Sequence, residues 1–233
     1  LIVIFSTKSL QNNKKFIDLR PLIKLDSMKA TMKTLSAILI CCFISTIQMY
    51  GENIQRPESE NYVKGVEALN EGNPEAAYTY LNAEINEHPD NGYAHCYMAL
   101  ICNFCNDTKL ALQALNSSLE LIPEADTEYR SFAHYSRGVL LTNLKMWERA
   151  EADLNEAIRL NPEDVENYKS RAQLYFETER YEESLDDLTR ALKLDSKADV
   201  NDLVLQLMAV APTSEFMERI TATYQQLDQV TIH

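Results

Sequence analysis

Apolar side chains recur at intervals of three or four residues along most of the chain beyond residue 58, with charged and amide side chains between them. This spacing places the apolar positions on one face of an α-helix and predicts a series of amphipathic helices. The pattern is clearest in MWERAEADLNEAIRLNP at 146–162 and RYEESLDDLTRALKLDS at 180–196. Almost the same pattern therefore occurs twice, 34 residues apart, which is typical of a repeat protein.

The repeat extends to four windows, 58–91, 92–125, 131–164 and 165–198, which we call repeats 1 to 4. Five extra residues, 126–130, separate repeats 2 and 3. Five columns keep their character through the windows. They are Gly65, Ala99, Gly138 and Ala172; Ala77, Ala111, Ala150 and Ser184; Leu81, Leu115, Leu154 and Leu188; Ile85, Leu119, Ile158 and Leu192; and Pro89, Pro123, Pro162 and Ser196.

Each column predicts a feature of one helix–turn–helix unit. Small side chains in the first two columns allow two antiparallel helices to approach closely, and the closing proline ends the second helix because it cannot continue the hydrogen-bond ladder. The turns are expected near 70–73, 106–107, 144–146 and 178–180. One such pair cannot bury its own apolar face, but a stack of pairs can.

These windows resemble tetratricopeptide repeats. Trp147 and Tyr181 stand at the aromatic position that this family favours after the turn, whereas Thr108 replaces the aromatic residue in repeat 2. Repeat 1 also has Glu84 where the family expects alanine, and repeat 4 ends on Ser196 instead of proline. The resemblance implies an all-α, right-handed solenoid of antiparallel helix pairs over residues 52–198.

Residues 199–233 fit the columns poorly. Residues 199–210 have one helical pattern, Pro212 breaks it, and Thr213 or Ser214 could cap a second helix over 215–228. We expect a degenerate fifth pair that caps the open end of the stack. The alternative is a chain that continues into a further domain.

The first 51 residues differ in charge from the rest. They carry seven Lys or Arg against two Asp or Glu, net +5, whereas residues 52–233 have a net charge of −18. An acidic body repels a phosphate backbone, so we expect no nucleic-acid partner. It equally disfavours an anionic membrane surface.

Residues 1–51 are interpreted as a leader that contains a secretory signal peptide. The functional start would be Met28 or Met32, followed by lysines and the apolar run 35–47, which is short for a bilayer span. This predicts an exported protein of the periplasm or envelope. The alternatives are a lipid anchor at the Cys41–Cys42 pair and an uncleaved membrane anchor.

Catalytic motifs are lacking from the sequence, which predicts a non-enzymatic protein with no cofactor and no metal. His88, His95, His134 and His233 have no ligand spacing. Cys96, Cys102 and Cys105 form the one cluster of reactive residue types. They are interpreted mainly as buried structural thiols, since Cys102 and Cys105 lie at the C-terminal end of a predicted helix, where the dipole disfavours a thiolate. A disulfide and a redox or metal role are the alternatives.

Two arginines recur just before the small-residue column of the first helices, and two aspartates recur on the second helices. The matching positions predict repeated structural ion pairs, Arg137 with Asp153 and Arg171 with Asp187. The alternative is that both arginines point to solvent.

In the family that the windows resemble, the first helices line a concave groove that holds peptides or partner helices. The resemblance implies groove positions at Tyr62, Val66, Leu69, Tyr93, Tyr97, Leu100, Phe104, Phe132, Tyr135, Val139, Lys169 and Gln173. The lysine–asparagine–arginine clamp for acidic chaperone tails is absent from these positions. Mostly aromatic and aliphatic side chains favour an apolar or amphipathic partner, although packing between repeats is an equal alternative for each residue.

The sequence therefore predicts a protein–protein interaction scaffold that binds a peptide or partner helix in a concave groove. One alternative is the repeat portion of a longer exported enzyme whose catalytic domain lies elsewhere. The other is a structural array that self-associates.

Overall fold

The computed structural model describes residues 54–211 and 213–231. The predicted leader and signal peptide, and the predicted break at Pro212, lie outside this part of the chain. Ten α-helices and no strand occur within the described residues. They are α1 (Glu60–Asn70), α2 (Pro74–Glu87), α3 (Gly92–Phe104), α4 (Thr108–Leu121), α5 (Thr127–Asn143), α6 (Trp147–Leu160), α7 (Val165–Glu177), α8 (Tyr181–Leu194), α9 (Asn201–Val210) and α10 (Ser214–Thr231).

The first eight helices form four pairs, one in each repeat. The most extensive contacts are within the pairs α1–α2, α3–α4, α5–α6 and α7–α8, and each second helix then packs against the first helix of the next repeat. The all-α solenoid expected from the sequence is confirmed. The leucine column, Leu81, Leu115, Leu154 and Leu188, lies in the core of every pair and is at most 2% exposed.

The small-residue columns lie where the two helices of a pair touch. A Cβ added to Gly138 would lie 2.7 Å from Cγ of Leu154, and one added to Gly65 would lie 2.7 Å from Cγ of Leu81. Glycine is thus required at these two positions by the close approach of the neighbouring helix. Ala99 and Ala172 fill the same column in repeats 2 and 4 and are 1% and 0% exposed.

The turn within each pair uses one residue in the left-handed region. Gly72, Asn106, Lys145 and Glu179 have φ angles of 71°, 59°, 57° and 61°, and each lies two residues before the second helix. Glycine and asparagine enter this region readily, whereas lysine and glutamate do so at a cost. All four turns therefore have the same left-handed backbone conformation, even where lysine or glutamate adopts it at a cost.

The extra residues 126–130 lengthen α5. This helix has 17 residues, whereas α1, α3 and α7 have 11 to 13. It begins at Thr127, four residues before repeat 3, and the Asp126 side chain caps it by accepting a hydrogen bond from the Tyr129 amide at 3.2 Å. The insertion adds about one turn to a first helix and brings Asp126, Glu128 and Tyr129 into the fold.

The C-terminal pair covers the end of the stack, as expected for a cap. Both α9 and α10 contact α8, and Leu207, Phe216 and Ile220 are at most 1% exposed. The Thr213 hydroxyl accepts a hydrogen bond from the Phe216 amide at 3.1 Å, which gives α10 its start. The guanidinium of Arg219 pairs with Asp186 of α8 at 2.8 Å.

Candidate partner-binding surface

The first helices form one side of the stack. They contact each other from repeat to repeat, α3 with α5 and α5 with α7, whereas no two second helices have comparable contact within the described residues. The side on which successive helices are closest is the inside of a curved stack. We call the surface formed by α1, α3, α5 and α7 the inner face; it corresponds to the groove expected from the resemblance.

The groove residues predicted from the sequence divide into two groups by burial. Tyr62, Tyr93 and Phe132 are 5–8% exposed and pack within the core. The others are half-buried: Val66, Leu69, Tyr97, Leu100, Phe104, Tyr135, Val139, Lys169 and Gln173. This second group has side-chain surface accessible to a partner.

Among the half-buried residues, Tyr135 and Val139 lie one helical turn apart on α5. Tyr135 stacks on Phe132 with ring centroids 6.4 Å apart and packs against two of the hydrophobic clusters. Truncating Tyr135 would therefore disturb the core as well as the surface. Val139 lies outside the side chains that build these clusters and is the cleaner reporter of the inner face.

Tyrosines from α1, α3 and the inserted first turn of α5 meet on the inner face near its N-terminal end. The Tyr129 hydroxyl lies 3.1 Å from that of Tyr97 and 3.5 Å from that of Tyr62. The rings of Tyr93 and Tyr129 meet edge to face with centroids 4.8 Å apart. Burial raises the pKa of each of these four phenols, so they remain neutral hydrogen-bonding groups at physiological pH.

Arg56 reaches this cluster from the segment that precedes α1. Its Nε and Nη2 atoms donate to Asp126 at 3.1 and 3.2 Å, and Nη2 also donates to Glu128 at 2.5 Å. Its guanidinium carbon lies 4.5 Å from the centroid of the Tyr129 ring. Tyr93 completes the arrangement by donating its hydroxyl to Asp126 at 3.0 Å. We call Asp126, Glu128 and Tyr129 the Arg56 site.

The Arg56 site was not predicted from the sequence, since it joins residues about 70 positions apart. One available signal was the insertion 126–130 itself, which adds two carboxylates and a tyrosine without disturbing the repeat columns. The other was the lone arginine just before repeat 1.

The predicted ion pairs are present. Arg137 donates from Nε and Nη2 to Asp153 at 2.7 and 2.8 Å, and Arg171 makes the same two bonds to Asp187 at 2.7 and 2.8 Å. Each arginine also bonds an asparagine on the second helix of the preceding repeat, Asn116 for Arg137 and Asn155 for Arg171. The pairs therefore join neighbouring repeats as well as the two helices of one repeat.

The two aspartates differ in electrostatics despite this shared geometry. Burial favours a higher pKa for Asp153, but hydrogen bonds from Arg137 and from His134, at 2.9 Å, outweigh it and hold the pKa below its ordinary value. Asp187 has Arg171 and the like charge of Asp186 nearby, and burial raises its pKa. The hydrogen bond from His134 to Asp153 is one difference between the two pairs.

Repeat 2 lacks this ion pair. Met98 and Ala114 occupy the positions of the arginine and the aspartate, and Met98 is 4% exposed in the core. The asparagine of the column remains as Asn82, whose Oδ1 is buried and has no hydrogen-bond partner among the described residues. The contact between repeats 1 and 2 is therefore more apolar at this position than the two that follow it.

The three cysteines of α3 and its end are free thiols. Cys96 and Cys102 are buried, and burial raises the pKa of each to about 12. Such thiols are poor nucleophiles at neutral pH, which agrees with the structural interpretation. His95 donates from Nε2 to the Pro89 carbonyl oxygen at 3.1 Å.

Other chemical features are limited in the part of the chain that the structure describes. No group of three or more His, Cys, Asp or Glu side chains there is arranged to hold a metal ion. Helices long and apolar enough to cross a bilayer are also absent from that part.

Comparison with protein families gives two matches. Models of the tetratricopeptide repeat match residues 131–164 and 166–197, which correspond to repeats 3 and 4. Repeats 3 and 4 are also the ones that carry the arginine–aspartate pairs and the aromatic residue after the turn.

Two curated proteins are similar over part of the chain. Tetratricopeptide repeat protein 6 of Homo sapiens is 25% identical over 143 residues, covering 61% of this chain and 26% of that protein. Lipoprotein NlpI homolog of Haemophilus influenzae is 31% identical over 87 residues, covering 37% of this chain and 28% of that protein. The chain thus spans little more than a quarter of the length of the curated relatives it matches.

Solved structures share the fold at low identity. MamA from Desulfovibrio magneticus RS-1 superposes with a TM-score of 0.59 at 18% identity, covering 73% of this chain and 93% of that one. PilF of Pseudomonas aeruginosa gives 0.59 at 19% identity, covering 72% and 74%. YrrB, described as a TPR protein with an unusual peptide-binding site, gives 0.53 at 18% identity, covering 81% and 92%. These matches show that repeats 3 and 4 are tetratricopeptide repeats and that the stacked helix pairs share the fold of solved tetratricopeptide repeat proteins.

Proposed function

We propose that the chain is a non-catalytic scaffold that binds a peptide or a helix of another protein along its inner face. The observation that supports this most directly is the row of half-buried aromatic and aliphatic side chains on α1, α3 and α5. Such a surface suits an amphipathic helix or an extended apolar segment, whose side chains gain by leaving water. Tyrosine adds large contact area with a polar tip, which is typical of interfaces.

Val139 is the residue that tests this surface most cleanly. It is half-buried on α5, one turn beyond Tyr135, and a carboxylate there would have to be desolvated by any apolar partner. Val210, at the end of α9 and 38% exposed, provides the same residue type outside the inner face. Val139→Asp and Val210→Asp therefore form a matched pair.

The experiment is a selection of peptides that bind the purified chain, followed by titration of the selected peptide into both variants. Val139→Asp is expected to weaken binding at least about tenfold, the effect of burying an unpaired charge, while Val210→Asp leaves it unchanged. Thermal melting of both variants checks that each remains folded. Equal affinity for the two variants, or failure of the selection to yield any specific peptide, contradicts the proposal.

An envelope location is part of the proposal. It rests on the signal-like residues 28–51 and on the similarity to a protein named as a lipoprotein. Fractionation of cells that express the full reading frame is expected to recover the chain outside the cytoplasm. Recovery in the cytoplasmic fraction alone would contradict this part.

A further inference from the structure

The insertion 126–130 has no place in the repeat columns, yet it supplies most of a charged site on the inner face. Asp126 is 1% exposed and Glu128 has a side chain that is 25% exposed, and both bond the same guanidinium. Tyr129 lies beneath that guanidinium as a cation–π partner. Two carboxylates and an aromatic ring around one planar cation are the chemistry that recognises arginine.

The present occupant is Arg56 of the chain itself. It belongs to residues 54–59, which are neither helix nor strand, and Pro57 holds it in an extended backbone. Within the described residues, Arg56 makes the hydrogen bonds that join this segment to α5. Its side chain is still 27% exposed, so the segment lies on the surface of the inner face and not within the core.

The Arg56 site is stable only when a cation occupies it. If Arg56 moved away, Asp126 would keep hydrogen bonds from Tyr93 and from the α5 amide, but it would lose its positive partner. A buried carboxylate without a counter-charge is costly, and a second guanidinium entering the site would remove that cost. The net charge of −18 over residues 52–233 attracts a basic segment as well.

We propose that Asp126, Glu128 and Tyr129 form a binding site for an arginine side chain of the partner, and that Arg56 occupies this site until the partner displaces it. The inference rests on the proposed function, because it assigns one feature of the segment bound along the inner face. The partner segment is then amphipathic and arginine-bearing, with its apolar side chains toward α5 and α3. Residues 54–59 act as an internal competitor that lowers the apparent affinity of every ligand that needs the Arg56 site.

The test uses a synthetic peptide of sequence IQRPESE, which copies residues 54–60, titrated by calorimetry into the full chain and its variants. Arg56→Ala is expected to bind the peptide at least about tenfold more tightly than the unmodified chain, since a tethered competitor acts at millimolar effective concentration. A peptide with citrulline in place of arginine has the same shape without the charge and is expected not to bind. A lysine peptide is expected to bind more weakly, because an ammonium cannot bond two carboxylates as a planar fork.

Two further variants locate the binding. In the Arg56→Ala background, Glu128→Gln is expected to weaken the binding of the peptide at least about fivefold. A loss of this size is typical of removing one charged partner. Glu148→Gln, at an exposed glutamate in the first turn of α6, is expected to have no effect. Arg56→Gln, which also removes the positive charge, gives a second vacated form if Arg56→Ala is poorly folded. Equal binding by the unmodified and vacated chains, or equal binding of the citrulline peptide, overturns the inference.

Failure of this inference and failure of the proposed function are distinguishable. Suppose that the selected peptides contain no arginine, bind more weakly to Val139→Asp and bind equally well to Glu128→Gln. The inner face would then stand as a binding surface, and the proposed arginine site would be rejected. Absence of any specific peptide would remove the proposed function itself.

Discussion

Gly138 is a single residue under a strong steric constraint. A side chain there would enter the space of Leu154, with Cβ 2.7 Å from Leu154 Cγ and 3.3 Å from its amide nitrogen. Gly138→Leu is expected to destabilise the fold by about 1–3 kcal/mol, because overpacking outweighs the better helix propensity of leucine. Urea denaturation measures the change. Asn143→Leu, at the exposed end of α5, is the control, and equal midpoints for the two variants would contradict the close-approach argument.

Lys145 is the second informative residue, since it takes a left-handed conformation in the turn of repeat 3 with φ of 57°. Lys145→Gly is expected to stabilise the fold by about 0.5–1 kcal/mol, because relief of the left-handed backbone exceeds the entropy that glycine loses on folding. The measurement is the thermal or denaturant midpoint. Gly72→Ala, at the equivalent turn of repeat 1, should change stability in the opposite direction. A loss of stability in Lys145→Gly would show that the lysine side chain has a compensating role.

At the scale of helices, the ion pairs connect neighbouring pairs across the stack. A double-mutant cycle with Arg137→Ala and Asp153→Ala is expected to give a coupling energy of about 0.5–3 kcal/mol, since both groups are largely buried and make two parallel hydrogen bonds. Denaturation of the four proteins provides the numbers. The exposed pair Arg159–Glu156 serves as the control and is expected to show almost no coupling. Similar coupling in both cycles would mean that burial does not strengthen the Arg137 pair.

Repeat 2 offers the reverse experiment, because Met98 and Ala114 stand where repeats 3 and 4 have the ion pair. Met98→Arg alone is expected to cost about 1–3 kcal/mol by placing a charge in the core without its partner. Adding Ala114→Asp is expected to recover at least half of that loss, and Asn82 Oδ1 would gain a donor. The readout is the denaturation midpoint. A double variant no more stable than the single one would show that the pair depends on more than its column positions.

The elements that the sequence could predict are those that repeat. Helices, turns and the pairs of Arg137 and Arg171 all follow from columns with fixed spacing, so four copies of the pattern reinforce one interpretation. The Arg56 site has no such pattern, since it depends on a single insertion and on a contact between distant parts of the chain. Some predicted groove residues, such as Tyr62, are buried, and others, such as Val139, are half-buried. This difference depends on how neighbouring repeats pack, which the spacing of residues in the sequence does not determine.

At the scale of the whole molecule, the chain is an acidic stack whose second helices face outward and whose C-terminal pair covers one end. The net charge of −18 over residues 52–233 favours basic partners and should speed their association at low ionic strength. Apolar side chains at Phe104 and Val139 lie on the same inner face as the Arg56 site, with Val139 ~15 Å along α5 from Tyr129, and together they give this face both parts of an amphipathic recognition surface. The packing columns lie on both helices of each pair, and the ion pairs join the inner helices to the outer helices of the same repeat.

The most direct test of this account is nuclear magnetic resonance mapping of a selected peptide on the isotope-labelled chain. The account predicts that the amide shifts that change on binding belong to α3 and α5, with the largest changes near Tyr97, Glu128 and Val139. Changes confined to α2, α4, α6 and α8 would place the partner on the outer face and contradict the central claim that the inner face is the binding surface.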